Sequence, residues 1–137
     1  MPFVLDCSVA LAWALPDEGA SAADSVLDRL VQDMAVVPPI WPLEVGNVLL
    51  VALKRGRIPR SDFLQIVRRL KELPVLIDDD STEHALSGTI ELADQFSLTT
   101  YDAAYLELAR RRSLPLATLD DRLRKACVSA GVAALPT

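Results

Sequence analysis

Short apolar runs alternate along the chain with longer segments in which apolar residues recur at helical spacing. Phe3-Val4-Leu5 is the first such run, and four others of similar length follow it. Runs of this length that contain branched residues are typical of buried parallel strands. The predicted strands lie at 3–5, 35–37, 74–77, 114–118 and 132–135. Strands that alternate with helices predict an α/β fold with a parallel sheet covered on both faces.

The segments between the strands predict helices. In the second of them, Val26, Leu27, Leu30 and Val31 form an apolar stripe at helical spacing. Helices are predicted at 8–13, with Ser8 as the cap, at 17–32, at 40–54, from Pro59 onward, from about Asp80, at 100–112 and at about 120–128. In the helix that follows Asp80, which pairs with Glu83 as a capping box, the predicted stripe is Leu86, Ile90 and Ala93.

The helix predicted at 40–54 is apolar on nearly every side. Only Glu44, Gly46 and Asn47 interrupt it before Lys54. A helix that is hydrophobic all round is expected to be buried. A buried carboxylate without a partner is costly and takes up a proton. Since Asn47 lies one turn after Glu44 on the same side of the helix, the pair predicts a polar site.

Three further acids stand where a predicted strand ends or a predicted helix begins: Asp6, Asp102 and Asp120. In a parallel sheet these positions lie at one edge, where ligands bind. Carboxylates gathered there with Glu44 would repel one another, and a hard divalent cation relieves that repulsion. Ligation by oxygen alone suits Mg²⁺ or Mn²⁺ better than Zn²⁺. Ser8, Asn47 and Thr118 are the candidates for a supporting shell of polar groups.

Some of these acids also have a purely structural explanation. Asp102 lies three residues after Thr99, which is the spacing of a helix-capping pair. Thr118 and Asp121 have the same spacing. We assign Asp121 to the helix cap and Asp120 to the site.

Composition and charge narrow the possible functions. The 137 residues suit one domain, 1–137. A net charge of −5 does not fit a general nucleic-acid coat protein, but it is compatible with a nuclease whose site holds several carboxylates. Cys7 and Cys127 are the only cysteines, and no apolar stretch is long enough to cross a membrane. We therefore expect a cytoplasmic protein with free thiols.

The remaining charged groups are expected to be structural. Asp78, Asp79 and Asp80 are predicted to form a solvated loop and a cap. His84 is the only histidine, which does not favour catalysis by a histidine pair. The arginines at 110–112 are expected to close a helix dipole. A second interpretation is that these arginines form a rim that contacts phosphates, together with Arg122, Arg124 and Lys125.

Four motifs carry a resemblance to a known family. They are V-L-D-C-S at 4–8, W-P-L-E-V-G-N at 41–47, L-T-T-Y-D-A-A-Y at 98–105 and A-T-L-D-D at 117–121, with Leu123 after the last. In this order and at this spacing the chain resembles the PIN domain, and within it the VapC-type ribonuclease toxins of toxin–antitoxin pairs. The motifs extend over most of the chain.

The resemblance implies a three-layer α/β/α fold around a central, mainly parallel sheet, and an endoribonuclease that depends on Mg²⁺ or Mn²⁺. It also implies a homodimer that a small protein antitoxin neutralises. The implied metal-binding and catalytic acids are Asp6, Glu44, Asp102 and Asp120, with Ser8, Asn47 and Thr118 as polar supports. The family often has a small or polar residue after the first Asp, where this chain has Cys7.

Other classes of protein remain possible from the sequence. A PIN-like interaction module without chemistry would keep the same motifs. A phospho-acceptor domain would need an acid pair after the first strand, whereas this chain has the single Asp6 there. A haloacid-dehalogenase-like phosphatase would need a second Asp where Ser8 stands.

Overall fold

A computed structural model describes residues 1–15 and 20–137, in which five short strands form one parallel sheet. The strands are β1 Phe3–Leu5, β2 Ala35–Val37, β3 Val75–Ile77, β4 Leu116–Ala117 and β5 Ala134–Leu135. Their order across the sheet is β3-β2-β1-β4-β5, and every neighbouring pair is parallel. The α/β prediction and the existence of all five strands are confirmed.

The last two strands are shorter than predicted, because some of the residues predicted to belong to them form hydrogen bonds with the end of the preceding helix. Leu114 donates its backbone N–H to the carbonyl of Ala109, and Val132 donates to that of Cys127. Both donors therefore close a preceding helix instead of joining the sheet. The strands predicted at 114–118 and 132–135 shrink to two residues each.

The central position of β1 decides where the site can form. Its residues Phe3, Val4 and Leu5 are all fully buried. The chain leaves β1 in one direction to build β2 and β3, and later adds β4 and β5 on the opposite side. The carboxyl ends of β1 and β4 thus meet at the point where the strand order reverses, which is the usual place for a ligand crevice in open α/β sheets.

Helices cover the sheet. They are α1 Cys7–Ala14, α2 Ala20–Arg29, α3 Trp41–Lys54, α4 Arg60–Glu72, α5 Ser81–His84, α6 Ile90–Phe96, α7 Thr100–Arg112 and α8 Asp121–Ala130. The prediction of α7 is confirmed at both ends, whereas α2 is shorter than the predicted 17–32, whose first three residues lie outside the described part of the chain. Within 1–15 and 20–137, none of the helices combines the length and the apolar character needed to span a bilayer.

The prediction that α3 is buried on all sides is wrong. Its inward stripe is Trp41, Val45, Leu49 and Ala52, at helical spacing, whereas Leu43 is 70% exposed. The helices packed against α3 are α1 and α4, and α4 itself has no fully buried residue. Only one side of α3 therefore faces the core, and the remaining apolar side chains stay open to solvent.

The predicted stripe after Asp80 is also wrong in part. A π-helical segment, Ala85–Thr89, separates α5 from α6, and Leu86 within it has a non-helical backbone (φ −96°, ψ 15°). The extra residue in the turn rotates the side chains that follow, so Leu86 is 88% exposed and Ile90 45% exposed. The Asp80 side chain makes no capping hydrogen bond, so the predicted capping box does not form.

Candidate functional site

Asp6 lies directly after β1, and its carboxylate is held in one orientation. Its backbone N–H donates to the carbonyl of Ala117 on β4, and its side chain is only 4% exposed. The hydroxyls of Ser8 and Thr118 both donate to its Oδ2 atom at 2.7 Å. Two neighbouring strands and the first turn of α1 therefore fix this acid.

Ser8 does not cap the first helix as predicted. That helix begins at Cys7, so Ser8 lies inside it, and no side chain caps it. The Ser8 hydroxyl instead accepts the backbone N–H of Leu119 at 3.0 Å while donating to Asp6. Thr118 acts in a parallel way, since its hydroxyl accepts the backbone N–H of Asp120 at 3.1 Å. Both hydroxyls therefore link the β4–α8 turn to Asp6.

Glu44 has a partner that sequence reasoning missed. It lies half-buried in the first turn of α3, where the fully buried hydroxyl of Tyr105 on α7 donates a hydrogen bond to its Oε1 atom. Tyr105 follows Asp102 by three residues on α7, so the two side chains share one side of that helix. That spacing was the available sequence signal for Tyr105.

The other two acids begin helices. The Asp102 backbone N–H donates to the Thr99 hydroxyl at 3.1 Å, which confirms the predicted capping pair. The assignment of the second cap to Asp121 is wrong. Asp120 is the cap residue of α8, and its Oδ1 atom accepts the backbone N–H of Leu123 at 3.0 Å. Thr118 cannot be that cap because it belongs to the end of β4, where its hydroxyl bonds to Asp6.

Asp6 interacts electrostatically with each of the other three acids. Burial raises the pKa of Asp6, the hydrogen bonds from Ser8 and Thr118 oppose that rise, and the charge of Asp120 adds to it. The pKa of Glu44 is raised by burial and then by the charges of Asp6 and Asp102. The pKa of Asp102 is raised by burial and then by the charges of Asp6 and Asp120. Asp6 is thus coupled to each of the other three acids.

Asn47 and Cys7, which lie close to these acids in the sequence, differ in how they interact with them. Asn47 is exposed on α3 and forms no hydrogen bond with the acids within the described residues. Cys7 is half-buried beside Asp6, and burial followed by the charges of Asp6, Glu44 and Asp102 raises the pKa of its thiol.

The donor chemistry of the four acids fits a hard divalent cation, because carboxylate oxygens are the ligands that Mg²⁺ and Mn²⁺ prefer. The raised pKa values of Asp6, Glu44 and Asp102 reflect burial and repulsion between carboxylates that a cation would relieve. In the part of the chain that the structure describes, however, no three His, Cys, Asp or Glu side chains are already arranged to hold a metal ion. The acids are therefore neighbours without being a finished coordination sphere.

Asp78 does not lie in a solvated loop as predicted. It is 6% exposed at the end of β3, and Arg111 donates to its Oδ2 atom at 2.7 Å. Arg111 also donates to Glu107 one turn earlier on α7, at 2.8 Å. Burial raises the pKa of Asp78, but the bonds from Arg111 and Ser81 and the charges of Arg111 and Arg112 outweigh it and hold the pKa below its ordinary value.

Three of the six cations in the candidate phosphate rim, Arg111, Arg112 and Arg124, make internal contacts. Arg124 donates to the backbone carbonyls of Thr118, Leu135 and Pro136 at 2.6–3.0 Å, which ties α8 to β4 and β5. Arg122 is exposed, and its charge lowers the pKa of Asp102 against the raising effect of burial. Within this group, Arg122 is the cation whose charge reaches the acids.

A model of the PIN domain family matches residues 3–128 of this chain. Among curated relatives, Ribonuclease VapC3 from Pyrobaculum aerophilum is 28% identical over 123 residues, which are 90% of this chain and 92% of the relative.

Three solved structures are similar. PAE2754 from Pyrobaculum aerophilum has a TM-score of 0.69 and 22% sequence identity, and the match covers 98% of this chain and 84% of that one. VapBC2 from Rickettsia felis, bound to a DNA fragment from their promoter, has a TM-score of 0.65 and 10% identity, with coverage of 98% and 97%. FitAcB from Neisseria gonorrhoeae has a TM-score of 0.66 and 18% identity, with coverage of 98% and 96%. At these identities the three structures show a shared fold.

Proposed function

The chain belongs to the PIN domain family, and from that premise we propose that it is a divalent-metal-dependent endoribonuclease, the toxin of a VapBC-type toxin–antitoxin pair. One observation carries the proposal more than any other. Asp6, at the reversal of strand order, is electrostatically coupled to Glu44, Asp102 and Asp120. The relative named Ribonuclease VapC3, which aligns over most of the chain, supports RNA as the substrate.

In this proposal the four acids form the metal site together. Asp6, Glu44, Asp102 and Asp120 would hold one or two Mg²⁺ or Mn²⁺ ions. A bound ion supplies an acidified water as the nucleophile and neutralises negative charge on the phosphate.

Around these acids, the protein holds the oxygen atoms in place before any substrate arrives. The hydroxyls of Ser8 and Thr118 orient Asp6, and the hydroxyl of Tyr105 orients Glu44. Ligands fixed in this way lose little conformational entropy when an ion binds.

The test is cleavage of a mixed RNA substrate in EDTA, in Mg²⁺ and in Mn²⁺ by the wild type and by Asp6→Asn. We expect metal-dependent cutting that the substitution abolishes without unfolding the protein, because an amide keeps the size of the carboxylate but removes its charge. Asp79→Asn is the matched control, since Asp79 is an exposed acid of the same loop as Asp78. Cutting at the normal rate by Asp6→Asn would exclude Asp6 from the reaction.

An interaction module without chemistry is the second candidate. The observation in its favour is that, among residues 1–15 and 20–137, no three potential ligands are already arranged to hold an ion. Titration of the wild type and Asp6→Asn with Mn²⁺, followed by electron paramagnetic resonance, separates the two candidates. Uptake that depends on Asp6 supports the nuclease, and no uptake supports the module.

The proposed partners are RNA, a second copy of the chain and a cognate antitoxin in the cytoplasm. A structural neighbour from Rickettsia felis is titled VapBC2, which supports an antitoxin as partner. An apolar cavity of about 260 Å³ between α1, α2 and α4, lined by Trp13, Leu27, Ile66 and Leu70 among others, offers a surface for such a protein. Mixing the chain with its antitoxin should suppress RNA cleavage in proportion to the complex formed.

A further inference from the structure

A second cavity lies at the starts of the two helices that carry Glu44 and Asp102. It has a volume of about 350 Å³ and opens between the start of α3, the π-helical segment and the start of α7. Leu43 lines it immediately before Glu44 in the chain, and Tyr101 lines it immediately before Asp102. The cavity and the acids therefore share the first turns of α3 and α7.

The lining of this cavity is uncharged. It consists of apolar and hydroxyl side chains, with prolines and an isoleucine on the α3 side and Thr89, Thr100 and Tyr101 on the other. With no cation to pair with it, a phosphate group has no reason to enter. A planar group with an apolar face and a polar edge matches these walls.

Thr89 distinguishes a polar occupant from an apolar one. The residue is only 3% exposed, and its hydroxyl makes no hydrogen bond within the part of the chain that the structure describes. Among the described residues, this hydroxyl is not one of the fully buried atoms that lack a partner, so it keeps some contact with solvent, and an apolar side chain in the cavity would remove that contact at a cost in free energy. A ligand that presents a hydrogen-bonding edge to Thr89 removes that cost.

Tyr101 supplies a flat surface at the mouth of the cavity. It is 58% exposed, whereas Tyr105 one turn later is fully buried. Bases of single-stranded nucleic acids stack on exposed aromatic side chains of this kind, and the stacking tolerates any base because each has a π face. Discrimination between bases comes from hydrogen bonds to their edges.

We propose that this cavity binds one unpaired nucleobase of the RNA, next to the phosphodiester at the acids, with the base stacked on Tyr101 and its edge hydrogen-bonded to Thr89. The identification of the base as part of the substrate rests on the proposed ribonuclease function. In this role Tyr101 and Thr89 position the RNA and select its sequence. Neither touches the reacting phosphate.

The direct test uses the four ribonucleosides as probes, because they carry the base without a phosphate that the acids would repel. Each is titrated into the full chain in EDTA, so that no cleavage occurs, and backbone amide signals are followed by NMR. We expect shifts at Thr89, Thr100 and Tyr101, and a preference for some bases. Tyr101→Ala should weaken binding by roughly 10-fold or more, whereas Tyr101→Phe keeps the stacking surface and should retain it.

Two substitutions of Thr89 test the role of its hydroxyl. Thr89→Val has nearly the same shape without the hydroxyl and should reduce the preference among the nucleosides, whereas Thr89→Ser should preserve it. If the wild type cuts RNA, sequencing of the products should show a relaxed preference at one nucleotide beside the cut for Thr89→Val, with kcat nearly unchanged on its preferred substrate.

The outcomes separate this proposal from the proposed function. Nucleoside binding at the cavity by a protein that cuts no RNA would support a base site and reject the nuclease. The absence of any nucleoside shift in the wild type would overturn the base site even if RNA is cut. If, in addition, Tyr101→Ala converted a dimer into a single chain, the cavity would belong to an interface with a second copy.

Discussion

Tyr105 gives Glu44 a fixed position although the two residues are 61 apart in the chain. We predict that Tyr105→Phe weakens Mn²⁺ binding by about 10-fold and slows RNA cleavage, because partners that orient a ligating side chain typically contribute 10- to 100-fold to metal affinity. Calorimetric titration with Mn²⁺ measures the effect. An unchanged circular dichroism spectrum is the control, since Phe fills the same buried space. Unaltered Mn²⁺ affinity would contradict the orienting role given to the Tyr105 hydroxyl.

Single residues could be predicted from the sequence when their neighbours along the chain explained them. Asp6, Glu44, Asp102 and Asp120 stood out because each is a charged residue at a turn or in an apolar helix. Tyr105 did not, because an aromatic residue in an amphipathic helix most often packs in the core. Its partner lies on a different helix, and no local pattern contains that contact.

The start of α8 combines two functions in Asp120. We predict that Asp120→Asn keeps the helix cap, because Asn accepts the Leu123 N–H equally well, but weakens Mn²⁺ binding through the lost charge. Asp120→Ala removes both, and should lower the free energy of unfolding by about 1 kcal/mol relative to Asp120→Asn. Urea denaturation in EDTA measures the free energy of unfolding, and calorimetric titration measures Mn²⁺ binding. Equal stability of the two variants would show that the cap contributes nothing.

The ion pair between Asp78, at the end of β3, and Arg111, near the end of α7, makes stability depend on pH. The pKa of Asp78 lies below its ordinary value of 3.8, so its stabilising effect is complete above 3.8 and is lost as the pH falls through the folded-state pKa. Asp6, Glu44 and Asp102 have raised pKa values, so the fold gains stability as the pH falls and these groups take up protons. That gain occurs at a higher pH than the loss at Asp78.

We therefore predict that the wild type loses more unfolding free energy than Asp78→Asn as the pH falls below 3.8. Asp79→Asn, the exposed neighbour, should follow the wild-type curve. Chemical denaturation at a series of pH values gives the three curves. If all three ran parallel, the Asp78–Arg111 pair would not contribute to stability.

Elements with a regular pattern were predicted well, and those with local irregularities were not. α7 agrees at both ends because Thr99 caps it and Ser113, in a left-handed conformation, ends it. The π-helical segment at 85–89 left no signal in the periodicity, so the exposed face of Leu86 was assigned to the core. The burial of α3 was overestimated because its solvent-exposed side also carries apolar residues such as Leu43 and Leu50, so its sequence has the pattern of a core helix.

At the scale of the whole molecule, the strand order could not be read from the chain. The rule that carboxyl ends of parallel strands share one edge was enough to place the acids together. The pairing of β1 with β4, which puts Thr118 against Asp6, depends on which of several possible orders has the best packing. The domain assignment 1–137 stays a prediction.

Homodimer formation is the prediction that belongs to this scale. Light scattering should give a mass near twice the 14.9 kDa of one chain. The association should change little with salt, because the chain exposes large apolar side chains such as Leu64 and Leu86 that a second copy would cover. A mass of one chain at every protein concentration would contradict the prediction.

The pairing of Asp6 with Thr118 also sets the earliest time at which the candidate site can form during synthesis. The two residues are 112 apart, and at typical synthesis rates on the order of 5–20 s pass between their translation. Until β4 has emerged and paired with β1, Asp6 lacks one of its two hydroxyl partners and Asp120 is absent. The complete set of four acids, with both hydroxyls that orient Asp6, can therefore assemble only late in the synthesis of the chain.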